Sequence, residues 1–204
     1  MIRYSSHEFA RADQLDAALG LDDDAARMLA SIIVFAGNIE YHLERALWVL
    51  KEIDPEGVRP STDSKPISEL ISMLESHAAD MADEKVQGLL RNWCAAARSG
   101  FSLRHDVAHG VSLKMETMLV FSRNPRWQGE VRKRPYSDLW CDPHTLGMIR
   151  ASMATLLRII GTIAQDKKPL TEIATPLALS AIRDARSVLG ELTDRFYNPG
   201  FEKY

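Results

Sequence analysis

The 204-residue chain holds only two cysteines, Cys94 and Cys141, far apart and without the C-x-x-C spacing of a redox or zinc motif. That scarcity fits buried thiols in a reducing compartment better than a disulfide framework. Neither sign of charge dominates: 25 Lys and Arg against 28 Asp and Glu leave a formal net charge of −3. A globally basic nucleic-acid-binding domain and an acidic disordered tail are both excluded, so any contact with nucleic acid has to come from a local patch. The opening residues, Met1-Ile2-Arg3-Tyr4-Ser5-Ser6-His7-Glu8, contain neither an apolar core nor a small-residue cleavage site, so no secretion signal is expected. Long apolar runs are missing too. The longest, residues 28–37, is interrupted by Ser31 and followed by Glu40 and Glu44. It reaches about half of the ~20 residues a membrane span needs and reads as a core helix. The expectation is a cytoplasmic protein with no membrane contact, no internal repeat and no low-complexity tract. The length suits one sizeable core, taken as a single domain over residues 1–204.

What is present is mostly helical periodicity. A short helix is expected over residues 8–19. Asp22, Asp23 and Asp24 then supply an N-cap and favourable charge for a long helix. Its apolar positions recur at Leu29, Ile32, Ile33, Ala36, Ile39, Leu43, Leu47 and Leu50, and it stops before Pro55 and Gly57. After a loop over residues 55–65, Pro66 opens a helix over 67–78. Another is expected over 82–98, with Val86, Leu89, Leu90, Trp93, Cys94 and Ala97 inward, broken by Ser99-Gly100. Beyond Gly110 the period changes to two, with Met115, Thr117, Leu119 and Phe121 alternating with Lys114, Glu116, Met118 and Val120. With Asn124-Pro125-Arg126 as the turn and residues 127–133 as the return strand, this predicts a hairpin over about 113–134. Asp142-Pro143 and Thr175-Pro176 each read as an N-cap followed by proline at the first helical position. They open a helix carrying Leu146, Ile149, Met153, Leu156, Leu157, Ile160 and Ile163, and a last one over about 176–197. The fold expected is an all-α helical bundle with a small β-hairpin insertion.

One segment is not explained by packing: Arg104-His105-Asp106-Val107-Ala108-His109, expected as a short helix or turn that Gly110 terminates. Arg104, four intervening residues and then His109 form an R-x(4-6)-H motif, with a polar residue, His105, directly after the arginine. In this pattern, and in its flanks from Leu103 to Gly110, the chain resembles the HEPN superfamily, whose "R-N-x-x-A-H-G" flavour is similar. The helix pair before the motif and the long helix after it extend the resemblance over about residues 22–165. The hairpin is then an insertion, and the chain from Leu170 onward an addition.

The resemblance implies a helical homodimer and a metal-independent endoribonuclease without cofactors, in a toxin–antitoxin or phage-defence setting. An antitoxin or neighbouring-gene protein would be a further partner. In that chemistry Arg104 holds the scissile phosphate and stabilises charge on its oxygens. His109 moves the proton of the attacking ribose 2′-hydroxyl or of the leaving oxygen. On an ideal helix, residues five apart point about 140° away from each other. Arg104 is therefore expected in or before a first helical turn, or reaching round with its long side chain.

Other readings of the same residues stay open. His105 and His109 share a helix face at i, i+4, and with Asp106 they approximate an H-E-x-x-H zinc site, His144 being the one downstream ligand available. His105-Asp106 also fits the doublet of an HD-type metal-dependent phosphohydrolase, with His77 upstream and Asp138 or Asp142 downstream. A non-catalytic dimerisation or binding module on the same fold is a third, in which a histidine caps helix carbonyls and Arg104 pairs with Asp106 on the surface. Glu40, at the edge of the inward stripe of its helix, is a candidate to orient Arg104 or His109, or else a solvent-facing carboxylate beside Glu44 and Arg45. Arg123, Arg126, Arg132, Lys133 and Arg134, with Trp127 among them, could track an RNA backbone while stacking bases. The alternative is a charged strand edge that resists edge-to-edge pairing.

Overall fold

A computed structural model describes residues 10–54, 56, 61–131, 133, 136–165 and 168–194. Its helices are α1 (Ala12–Leu19), α2 (Asp23–Leu50), α3 (Ile67–Ala79) and α4 (Glu84–His109), then α5 (Pro143–Gln165), α6 (Leu170–Ile173) and α7 (Pro176–Leu192). Between α4 and α5 lie β1 (Val111–Met115), β2 (Met118–Arg123) and β3 (Ser137–Cys141). The protein is mostly helical with one small antiparallel sheet.

The N-caps expected from the sequence are in place. Asp22 accepts from Ala25 N at 2.8 Å, Asp142 from Thr145 N at 2.7 Å and Thr175 from Ala178 N at 3.1 Å. Each satisfies a backbone donor that the first helical turn leaves without an intrahelical acceptor.

The most extensive helix pairing is α2 against α5, and α7 lies along both α4 and α5. Leu29, Ile32, Ala36, Ile39, Leu43 and Leu47 of α2 are buried, as are Ile149, Met153, Leu156 and Ile160 of α5. Each of these side chains apart from Ala36 stabilises the fold by about 1.5–3 kcal/mol. By composition α5 is long and apolar enough to cross a membrane, but it runs through this core, with half of its most apolar window buried. Trp93, fully buried on α4, donates its indole N–H to the Leu156 carbonyl at 2.9 Å. That bond ties α4 to α5 and satisfies the one polar atom of the side chain.

Two expectations need correction. Ser99-Gly100 does not break the helix: α4 runs without interruption from Glu84 to His109. Gly100 is there for close packing, since a Cβ on it would lie 2.7 Å from Met153 Sδ, and the Ser99 hydroxyl accepts from Thr193 at 3.1 Å. Arg104 to His109 is thus the end of a long helix rather than a short one of its own. The chain after Leu170, an addition by the resemblance, shares the core. Ile182, Ala185, Leu189 and Leu192 of α7 are buried in the same apolar cluster as α2, α4 and α5. The end of the expected C-terminal helix, residues 195–197, lies outside the described residues.

The second correction concerns the sheet. The alternating run 114–121 is not one strand, because a two-residue turn at Glu116-Thr117 splits it, with Glu116 in a left-handed conformation at φ 54°. Asn124 does end β2, also at positive φ (55°), but the strand that pairs with β2 is Ser137–Cys141 rather than residues 127–133. The sheet order is β1-β2-β3, with Leu119 opposite Cys141 and Phe121 opposite Leu139. Those four side chains are buried in the core cluster, which explains the choice of partner: residues 137–141 offer apolar side chains in register, whereas Trp127 and Val131 are 62% and 99% exposed.

Candidate functional site

The last two turns of α4 run beneath the end of the sheet and present Arg104, His105, Asp106 and His109 there. Gly110 stops the helix by turning extended, with ψ 153°, while its N–H still bonds the Asp106 carbonyl at 2.8 Å. It is not the left-handed cap that a glycine at this place suggests. What requires glycine is space: a Cβ would collide with the Asp106 carbonyl oxygen and lie 3.2 Å from Phe121.

Asp106 points inward and is only 2% exposed. Its Oδ2 accepts from the Ser137 hydroxyl at 3.0 Å, and its Oδ1 lies 2.9 Å from Arg123 Nε. The Arg123 contact is an ion pair by distance, with the N–H not aligned on the oxygen as a hydrogen bond would be. Burial pushes the Asp106 carboxyl above the usual carboxylate range, and Ser137 and Arg123 oppose that shift without overcoming it. The surface pair of Arg104 with Asp106 considered above is therefore not formed. Asp106 is a buried anchor between α4, β2 and β3.

His105 and His109 sit one turn apart with their rings stacked, centroids 5.6 Å apart and planes 28° apart. His105 is half-buried and His109 exposed. Desolvation, then the charges of Arg104, Arg123 and His109, hold the His105 imidazole below its ordinary range, with Asp106 acting in the opposite sense. Arg104 keeps its Nε buried without a hydrogen-bond partner. With α4 continuous, Arg104 and His109 leave the helix about 140° apart, so neither condition that would bring them together by backbone position is met.

The remaining sequence candidates divide. Arg123 joins the motif, although as the partner of Asp106. Glu40 does not: it is exposed on α2, and among the described residues no hydrogen bond or ion pair links it to Arg104 or His109. Arg126, Trp127 and Lys133 are exposed in the segment between β2 and β3, and Arg132 and Arg134 lie outside the described residues.

Ser137 was not singled out by the sequence. Its partner is 31 positions away, and only the strand assignment that the sequence misplaces would have brought it forward.

The metal readings lose their ligands. Among the described residues no three His, Cys, Asp or Glu side chains converge as a metal site. Asp138 accepts from the Trp140 indole at 2.8 Å, and Asp142 is the cap of α5. For Asp142 burial acts upward, but the bonds from Thr145 hold its carboxyl below the usual range. His77 lies in the last turn of α3, whose Ala79 carbonyl accepts from Gln87, and His105 is about 27 Å beyond Gln87 along α4. His144 is exposed at the start of α5.

A cavity of about 480 Å³ lies elsewhere, between the hairpin turn and the starts of α2 and α5, lined by Gly20, Asp22, Lys114, Thr117, Cys141 and Leu146 among others. No residue of the motif borders it. Set against protein-family models, curated proteins and solved structures, the chain matches none of them.

Proposed function

We propose that this chain is a metal-independent endoribonuclease of HEPN type that works as a homodimer, in a toxin or phage-defence role. The observation that carries the reading is the state of the six-residue segment. Asp106 is consumed by packing, while Arg104 has a buried donor without a partner and His105 and His109 stand stacked at an accessible helix end. A guanidinium without an acceptor beside two imidazoles suits a phosphodiester. Arg104 would stabilise charge on the phosphate oxygens. His109 would take the proton of the ribose 2′-hydroxyl as that oxygen attacks phosphorus, or protonate the 5′-oxygen that leaves, yielding a 2′,3′-cyclic phosphate and a 5′-hydroxyl. The nucleophile is part of the substrate, so this chemistry has no need of a metal.

The divergence of Arg104 and His109 on one helix supports the dimer. A cleft between two copies would allow Arg104 of one chain and His109 of the other to face a single phosphate. The same divergence favours one second reading, a binding module without catalysis in which the arginine and histidine never meet. Incubation of the purified protein with RNA in EDTA decides between them. Cleavage abolished by both Arg104→Ala and His109→Ala is expected. Cleavage that survives in either variant would sink the assignment, and intact RNA with the wild type would leave the binding module.

A further inference from the structure

A cavity of about 290 Å³ opens in the groove between α4 and α7, lined by Asn92 of α4 and by Arg183, Arg186 and Ser187 of α7. The two helices run parallel here. Asn92 meets Arg186, and seven residues farther along both helices Ser99 meets Thr193. Arg183 and Arg186 are one turn apart, which places their Cβ atoms about 5–6 Å from each other, and both side chains border the same space. Asn92 Nδ2 donates to the Gly88 carbonyl at 2.7 Å, and its Oδ1 accepts from Arg186 Nη1 at 2.8 Å. The amide is thus held by its own helix and in turn holds the Arg186 fork, using one of its five N–H donors. The Arg183 guanidinium has no hydrogen bond or ion pair among the described residues. Nor does a carboxylate line the cavity among them. Asp184, next in sequence, points about 100° away from Arg183 round the helix and pairs with neither arginine. Like charges a turn apart destabilise a helix, and an anion between them reverses that. A carboxylate has two oxygens in one plane, which a single guanidinium fork already occupies. A phosphate directs its oxygens tetrahedrally and can accept from two forks at once.

We propose that the groove between α4 and α7 is a phosphate-binding site, in which Arg183 and Arg186 hold one phosphate group and Asn92 positions Arg186. Asn92 lies thirteen residues before His105 on one uninterrupted helix, about 20 Å along its axis. The site is therefore separate from the motif, and it does not depend on the ribonuclease reading. The phosphate comes either from a small molecule, such as a nucleotide, or from the backbone of an RNA strand. The chemistry that recognises it is the same in both.

The test titrates the full chain with sodium phosphate and 5′-AMP by calorimetry, with sodium acetate at equal ionic strength as the control. A short labelled 2′-O-methyl RNA, which lacks the nucleophile and stays uncut, is followed by fluorescence anisotropy across a salt series. Both arginines are exposed, so Arg183→Gln and Arg186→Gln are expected to fold. Each should weaken binding of the phosphate probe about tenfold. Asn92→Ala should weaken it less, and should have no further effect once Arg186 is glutamine. That coupling separates a positioning role from general damage to the groove. Binding of sodium phosphate and 5′-AMP through the arginines assigns the site to a small molecule, and binding of the RNA alone assigns it to a strand; either supports the proposal. For the RNA, the double Arg183→Gln, Arg186→Gln variant should reduce the slope of log affinity against log salt by about 0.7, the share of one phosphate. A reduction about twice as large would mean two separate phosphates and would overturn the shared site. So would acetate bound as tightly as phosphate, unchanged affinity in both glutamine variants, or no binding of any phosphate probe by the wild type.

Discussion

Asp106 Oδ1 and Arg123 Nε stand 2.9 Å apart, joining the last turn of α4 to the end of β2. The two side chains differ in exposure, 3% for Asp106 against 27% for Arg123, so losing one is not equivalent to losing the other. Removing Arg123 leaves a buried carboxylate facing nothing but Ser137. Removing Asp106 leaves a guanidinium that still reaches water. Breaking a buried pair from one side costs roughly 3–5 kcal/mol, and the partial exposure here argues for the lower end. Arg123→Met is expected to lose about 3 kcal/mol in urea unfolding, and the double variant with Asp106→Asn to recover most of it. A double variant as unstable as Arg123→Met would show that the aliphatic stem of Arg123, not the charge pair, holds the sheet to α4.

Gly110 and Gly100 sit on the same helix and differ in what a methyl group would meet. At Gly110 the obstacle is backbone, the Asp106 carbonyl, which cannot move without breaking the end of α4. At Gly100 it is the tip of Met153, a flexible side chain, and alanine inside a helix is favoured over glycine by about 0.5–1 kcal/mol. Gly110→Ala is expected to cost about 1–3 kcal/mol and Gly100→Ala to stay within about 1 kcal/mol of wild type. Thermal melts of the two variants check this, and the reverse order would contradict the packing described for α4.

These glycines also show how far the sequence could be read. Glycine after serine looks like a helix stop, and only the neighbouring α5 reveals that Gly100 is a place for Met153. The caps Asp22, Asp142 and Thr175 act on their own following turn, and so they were legible. The turn at Glu116-Thr117 carries neither glycine nor asparagine, and the alternation of apolar residues passes through it without a break, so a hairpin looked like one strand. Of the site, Arg104, His105 and His109 were visible because they are close in sequence. The pairing of Asp106 with Arg123 and Ser137 was not, because it depends on the register of β2 with β3. That register is set by Leu139 and Cys141 reaching the core.

His105 gives the site a pH signature. Partial desolvation, and then the nearby Arg104, Arg123 and His109, lower its affinity for a proton in the folded chain. The unfolded chain, with an ordinary imidazole pKa of about 6.5, binds that proton more readily. Stability from this residue is therefore complete above about pH 6.5 and is lost as pH falls through the lower folded value. Urea midpoints measured downward from pH 7 should fall more steeply for wild type than for His105→Gln. Parallel curves for the two proteins would show that the ring is as easily protonated in the folded state as outside it.

The last prediction concerns which chain supplies which residue. Arg104 and His109 project about 140° apart from one uninterrupted helix, so a phosphate held by both is more easily placed between two chains than on one. In a two-fold dimer the composite site takes Arg104 from one chain and His109 from its partner, and the second site reverses the roles. Arg104→Ala and His109→Ala homodimers are then each inactive for a different reason. A mixed dimer holds one intact site, with Arg104 from the His109→Ala chain and His109 from the Arg104→Ala chain, and one site lacking both. Mixing the two inactive proteins and letting the subunits exchange should restore about a quarter of wild-type cleavage, since about half of the dimers are mixed and each carries one working site. A site built within one chain would give no recovery at any ratio. A chain that sediments as a monomer at micromolar concentration would remove the composite cleft altogether.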